Sequence, residues 1–319
     1  MKPVVLALVG PTGSGKTKTA IALSRALDAE IVSMDSMQIY RSMDIGTAKP
    51  TKEEQSAVPH HMIDVVEPDC LFTVSMYNEM ASKAIDDILS RGKLPILVGG
   101  TGLYLNALSF EMSLGDNGAD QALRDELHRI AGEPDGPQRL HRRLGEVDPA
   151  SAQKLHPNDV RRVIRALEIY ETSGKAKGER KDEQRIEGPY HVMVYGLSMP
   201  RDRMYERINA RVDQMIADGL VDEVKALLER GIEPRDEGGA MQAIGYKEIV
   251  SALRGEMSMD QAIALIKQGS RRYAKRQWTW FRRDQRTNWF DWTEYESEKA
   301  LLEALLRKIQ CDIAAYRQD

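Results

Sequence analysis

Gly10-Pro11-Thr12-Gly13-Ser14-Gly15-Lys16-Thr17 is the run whose residue types and spacing most directly specify chemistry. It fits G-x-x-x-x-G-K-[ST], the phosphate-binding P-loop pattern shared with ATP-binding proteins. The apolar run Val4 to Val9 precedes it and reads as a buried strand, and the helix-like segment Lys18 to Leu27 follows. In that setting the glycines let the backbone curl so that its N–H groups converge on phosphate oxygens. The helix N-terminus adds partial positive charge. Lys16 is expected to reach the terminal phosphates, and the Thr17 hydroxyl to sit on Mg²⁺. A di- or triphosphate ligand follows.

Other candidates carry two readings each. Asp35 ends the strand-like run Glu30 to Met34; it could serve the metal, act as a general base beside the phosphates, or cap a turn with Ser36. Thr101 sits in Gly99-Gly100-Thr101-Gly102 after the apolar Leu94 to Val98, where it could hold a phosphate or simply turn the chain. No carboxylate follows Val98, which counts against an ordinary P-loop ATPase. Arg207 and Arg211 share a helical face suited to diphosphate oxygens, or to pairs with residues such as Glu206. Arg161, Arg162 and Arg165 follow Pro157-Asn158-Asp159, with Pro157 expected in the first helical turn. Their face could grip nucleic-acid phosphates or pair with Glu168. From Lys267 to Arg286, basic residues interleave with Trp278, Trp280 and Phe281 against a single Asp284. That mixture fits RNA or an amphipathic helix. His60-His61 lacks ligands at metal spacing and reads as structural.

The elements that must position these residues alternate strand and helix through about residue 110, predicting a parallel sheet with ligands beyond its strand ends. The P-loop, Asp35-Ser36 and Gly99–Gly102 then share one edge. Gly115-Asp116-Asn117-Gly118 is a loop signal; residues 121–131 and 157–172 look helical; the polar stretch 173–188 reads as a mobile loop. His191 to Gly196 reads as a strand returning to the sheet, and helices dominate from about residue 201. The expectation is an α/β, P-loop NTPase-like parallel sheet with a helical insertion domain and a helical C-terminal region. The core would be 1–113 and 191–319, and the insertion 114–190. At 319 residues, 42% apolar and 29% charged, the chain has a globular composition. The net charge of −4 argues against a protein coated in positive charge. No apolar stretch suits a membrane span, and Cys70 and Cys311 make no disulfide or metal framework, which points to a reducing cytoplasm.

Eight segments together carry a resemblance. They are the P-loop itself, Asp35-Ser-Met-Gln-Ile-Tyr40, Met43-Asp-Ile-Gly-Thr-Ala-Lys-Pro50 and Pro59-His-His-Met-Ile-Asp64, then Val98-Gly-Gly-Thr-Gly-Leu-Tyr104, Asn158-Asp-Val-Arg-Arg162, Gln242-Ala-Ile-Gly-Tyr-Lys-Glu248 and Ala274-Lys-Arg-Gln-Trp-Thr-Trp-Phe-Arg282. In this order they resemble the bacterial tRNA dimethylallyltransferases, also called tRNA isopentenyltransferases, over nearly the whole chain. Eukaryotic relatives carry a C-terminal zinc finger, which two distant cysteines cannot build.

The resemblance implies transfer of a dimethylallyl group from dimethylallyl diphosphate to N6 of the adenosine just 3′ of the anticodon, in tRNAs reading codons that begin with U. The P-loop would hold the prenyl diphosphate with Mg²⁺ on Thr17. Asp35 would be the general base, Lys16 and Arg211 would stabilise the departing diphosphate, and Thr101 would bond the diphosphate or the reacting base. The tRNA-contacting positions implied are Asp35, Ser36, Met37, Gln38 and Thr101; Asp159, Val160, Arg161, Arg162, Val163 and Arg165; and Gln242, Lys275, Arg276 and Gln277. The insertion and the C-terminal basic segment would clamp the anticodon stem-loop, with the chain working as a monomer. Three other readings fit parts of the same pattern: a prenyltransferase acting on free AMP, ADP or ATP, a P-loop phosphotransferase, and a nucleotide-sensing RNA-binding module.

Overall fold

A computed structural model of the chain describes residues 1–111, 121–174, 176, 186–235 and 239–318. It divides into two compact units, Met1–Phe110 with Glu187–Asp319, and Glu111–Ile186. In the first, β1 (Val4–Val9), α1 (Lys16–Leu27), β2 (Ala29–Met34), α2 (Lys52–Ala57), β3 (His60–His61), α3 (Val74–Ser90), β4 (Leu94–Gly99) and α4 (Gly102–Ser109) run in order. The second unit holds α5 (Gln121–Ala131), α6 (Gly136–Val147), α7 (Pro149–Lys154) and α8 (Val160–Ser173). The chain then re-enters the first unit as β5 (His191–Ser198), α9 (Arg201–Ala217), α10 (Leu220–Glu229), α11 (Tyr246–Leu253), α12 (Met259–Arg282), β6 (Asn288–Asp291) and α13 (Glu298–Tyr316).

The strands form one sheet in the order β3-β2-β4-β1-β5-β6, and every pairing is parallel. β1 shows why such a sheet needs cover on both faces. Val5, Ala7 and Val9 point into a core shared with α3, α4 and Phe281 of α12. Leu6 and Leu8 point the other way, into a core shared with α1 and α13. A third core joins Ile39, Tyr40 and Met43 to α9, α10, α11 and α12. The second unit has its own core around Leu127, Leu140, Leu144, Val163 and Leu167.

Most expected elements appear within a few residues of their expected ends, and three differ. Helix α8 begins at Val160 with Asp159 as its N-cap, so Pro157 precedes the helix instead of sitting in its first turn. Helices dominate the described residues after 201, as expected, but those residues also include the strand β6, which pairs with β5. Glu187 to Tyr190 belongs to the first unit, because the Gly188 N–H bonds the Ser109 carbonyl at 2.9 Å and Phe110 bridges Glu187. The Gly115–Gly118 turn and residues 177–185 of the polar stretch lie outside the described residues. Among those described, no helix is long and apolar enough to cross a membrane.

Leu8 is 1% exposed in the centre of the sheet. Leu8→Ala is expected to cost roughly 2–5 kcal/mol in urea unfolding; a loss below about 1 kcal/mol would mean that this face of the sheet is loosely packed.

Candidate active site

Parallel register places the functional residues. Val9 and Met34 each pair with Gly99, so the ends of β1, β4 and β2 lie in one row. Beyond that row come Gly10, Gly100 and Asp35. The Thr101 N–H donates to the Met34 carbonyl at 3.1 Å, tying the turn after β4 to the residue before Asp35. A cavity of about 530 Å³ opens at this edge, with Lys16, Thr17, Asp35, Arg207, Arg211 and Tyr273 in its lining.

The P-loop has the shape its glycines permit. Gly10, Gly13 and Gly15 have φ of 145°, 83° and 91°. A Cβ on Gly10 would stand 2.5 Å from the Leu197 carbonyl oxygen, so that position excludes any larger residue on two grounds. Pro11, Thr12 and Ser14 complete the turn, with the Ser14 N–H on the Pro11 carbonyl at 3.2 Å. The Trp292 indole donates to the Ser14 carbonyl at 2.8 Å and braces the loop from outside. Ile208 of α9 lies against Gly13, which brings Arg207 and Arg211 alongside the loop.

The charges here are poorly balanced. Lys16 Nζ folds back onto the Pro11 carbonyl at 2.8 Å. Enclosure by protein, with Arg211 beside it, pulls its ammonium down to about 7, against the pull of Asp35. Arg211 has solvent access across the cavity, yet its enclosure and Arg207 lower its pKa too, while Glu54 opposes them. Three cations facing one space make a site that gains from an anion.

Asp35 is the counter-group. Enclosure pushes its carboxyl above the usual range, although the Met37 and Gln38 N–H groups and Lys16 favour the ionised form. Both N–H groups bond the same oxygen, Oδ1, at 2.8 and 3.4 Å. Among the described residues Oδ2 makes no hydrogen bond. Asp35 therefore caps its turn through one oxygen, and that cap leaves the other oxygen unused, so the capping reading does not exclude a second one.

Thr101 lies behind the cavity wall. It is the N-cap of α4 without a side-chain capping bond, and its buried Oγ1 makes no hydrogen bond of good geometry, with the Tyr273 hydroxyl nearby. Tyr273 of α12 lines the cavity in front of it. Burial and Asp35 push the Tyr273 phenol up to about 12, while the nearby Thr101 hydroxyl and Gln277 amide pull against them. Tyr273 was not singled out in the sequence; the signal available was its place four residues before Gln277 on one helical face.

The remaining expected positions divide. Ser36, Met37, Gln38, Gln242 and Arg276 reach the cavity. The Gln38 amide is engaged, accepting from Ser33 Oγ at 3.1 Å and donating to the Thr47 and Ala48 carbonyls at 3.3 Å each. Gln242 Nε2 donates to the Arg235 carbonyl at 2.6 Å. Lys275 is exposed, whereas Gln277 is 5% exposed and also lines the cavity. In the second unit, Arg161 is exposed, and Arg162 pairs with Asp159 at 3.2 Å. Arg165 bonds the buried Glu168 at 3.0 Å beside Arg124, with its own side chain 43% exposed. Val163 is wholly buried, and Val160 packs on the same core. His61 bonds Glu30 at 2.8 Å in an ion-pair cluster with Arg91, as a structural histidine does; His60 reaches the cavity lining.

The fold and site define a P-loop protein with an enclosed carboxylate beside its anion cradle. The family model described as IPP transferase matches residues 38–284, and the chain belongs to that family. It is 48% identical over 304 residues to the tRNA dimethylallyltransferase of Halalkalibacterium halodurans, covering 95% of this chain and 96% of that one. It is 45% identical over 319 residues to the enzyme of that name from Oceanobacillus iheyensis, covering 100% and 99%. Among solved structures, the full-length tRNA isopentenylpyrophosphate transferase from Bacillus halodurans superposes with a TM-score of 0.74 at 44% identity, covering 100% and 99%. A eukaryotic dimethylallyltransferase acting on tRNA superposes at 0.77 and 31% identity, covering 91% of this chain and 74% of that one.

The raised carboxyl of Asp35 has a stability consequence. A carboxyl whose pKa is higher in the fold than in the unfolded chain contributes stability only while protonated, and that contribution is lost as pH rises through its range. Asn retains the Oδ1 acceptor. Asp35→Asn is therefore expected to raise the melting temperature at pH 8, with the gain shrinking towards pH 4; a lower melting temperature at both pH values would contradict this reading of Asp35.

Proposed function

We propose that this chain transfers a dimethylallyl group from dimethylallyl diphosphate to N6 of the adenosine immediately 3′ of the anticodon in tRNAs reading codons that begin with U. The observation that carries the reading is the placement of the Asp35 carboxylate in the same cavity as the P-loop, Lys16 and Arg211. The names and full-length coverage of the relatives support it.

The chemistry follows from the groups present. The allylic C–O bond breaks, diphosphate leaves with the bonding electron pair, and N6 forms the new bond to carbon. Negative charge grows on the departing oxygen, which Lys16 and Arg211 in the cavity lining and the helix N-terminus after the P-loop would stabilise. An anion there also raises the Lys16 ammonium from about 7, so the lysine is charged when it is needed. N6 gives its proton to Asp35, whose carboxylate is made more basic by its enclosure.

Mg²⁺ fits this donor set. Thr17 lines the cavity, and no cluster of three or more His, Cys, Asp or Glu side chains stands ready to cage a metal among the described residues. One hydroxyl leaves most of the coordination shell to diphosphate oxygens and water, the arrangement Mg²⁺ favours. When bound, the ion neutralises charge on the diphosphate.

A base inside a stacked anticodon loop cannot reach an enclosed carboxylate, so the adenosine is turned out of its stack. Exposed Arg161 in the second unit and Lys275 on α12 supply cations for RNA phosphates, which position the RNA without reading its sequence.

The test uses labelled dimethylallyl diphosphate, Mg²⁺ and an anticodon stem-loop RNA, with AMP and ATP as parallel acceptors. Label is expected in the RNA alone, and Asp35→Asn should cut the single-turnover rate by about 10²–10⁴. Label only in AMP or ATP, or an unchanged rate in the variant, would overturn the acceptor or the base respectively.

A further inference from the structure

Gln277 makes a contact that the proposed chemistry does not use. Its Oε1 accepts the Thr12 N–H at 2.8 Å, and its Nε2 donates to the Gly100 carbonyl at 3.1 Å. One side chain from α12 thus joins the P-loop to the turn after β4. Both ends of the amide are satisfied inside the protein, as burial requires. The seat is closely fitted: a Cβ on Gly100 would stand 1.8 Å from Gln277 Nε2, so only glycine leaves room for the amide there. β1 and β4 are neighbours in the sheet, but beyond Val9 and Gly99 their ladder ends and the two loops diverge. Gln277 bridges them at that point.

The bridge has two effects on the anion cradle. It draws the Thr12 N–H to the glutamine oxygen, away from any anion. It also anchors the front of the loop to the turn that holds Met34 and therefore Asp35, through the Thr101 bond to the Met34 carbonyl. Donor cradle and base then share one frame, and their separation is fixed before substrate arrives.

We propose that Gln277 is a positioning residue for the donor's diphosphate and makes no contact with RNA. The proposal rests on the reading of this cavity as a prenyl diphosphate site. Gln277→Met keeps the length and volume of the side chain and removes both bonds. It is expected to raise the KM for dimethylallyl diphosphate by about tenfold or more, the scale of a lost buried hydrogen bond. The KM for the stem-loop RNA should stay within about twofold, well under one such bond.

Titration with inorganic diphosphate and Mg²⁺ separates this inference from the acceptor question. Gln277→Met should weaken that binding by the same factor even if RNA proves not to be the acceptor. Gln277→Glu supplies a second readout, and serves if the methionine variant does not fold. Its carboxyl regains a donor and an acceptor only when protonated, so its diphosphate affinity relative to the unsubstituted protein should recover as pH falls. A rise in the KM for RNA with unchanged donor KM, or diphosphate binding unaffected by both variants, would overturn the proposal.

Discussion

The row formed by Val9, Gly99 and Met34 is the constraint on which the site depends. Three parallel strands end at one level, so three loops from distant parts of the chain begin together. The close approach is strict at its centre, where a Cβ on Gly99 would lie 2.4 Å from the Met34 carbonyl oxygen. That same oxygen receives the Thr101 N–H. A shift of one residue in either ladder would move Asp35 away from the P-loop and turn β2's side chains to the opposite face. Both faces of the sheet are covered by apolar helices, which resist such a slip.

On this frame the site holds charges in tension. Enclosure and Arg211 lower the Lys16 ammonium, enclosure and Arg207 lower the Arg211 guanidinium, and enclosure raises the Asp35 carboxyl. Without an anion this arrangement costs stability. In the proposed reaction a bound diphosphate gives the cations a partner, and Asp35, made more basic by enclosure, takes the proton that the amine loses. In that reaction the same enclosure would serve leaving-group stabilisation and proton removal.

The P-loop was legible because glycine spacing reports backbone shape directly, and Asp35 because strand ends in a parallel sheet share an edge. Less could be read where a residue's role depends on which way a helix faces. α12 carries cations and aromatics on several sides, and sequence alone did not separate outward Lys275 from inward Gln277, or reveal Tyr273 in the cavity wall. Arg161 and Arg165 share a helical face, yet buried Glu168 holds Arg165, and that choice depends on Arg124 some forty residues earlier. β6 escaped notice because four residues, Asn-Trp-Phe-Asp, show no usable alternation; its pairing with β5 defines it.

The central claim is that this P-loop holds a prenyl diphosphate through Lys16 instead of a nucleoside triphosphate. Calorimetric titration with the unreactive thio-analogue of dimethylallyl diphosphate and with a non-hydrolysable ATP analogue, each with Mg²⁺, tests it directly in buffers of different ionisation enthalpy. Because Lys16 titrates at about 7, the donor analogue should draw a proton onto the protein at pH 8 and little at pH 6. That uptake should vanish in Lys16→Met, and the ATP analogue should bind more weakly. Tighter binding of the ATP analogue, or donor binding indifferent to Lys16, would contradict the account.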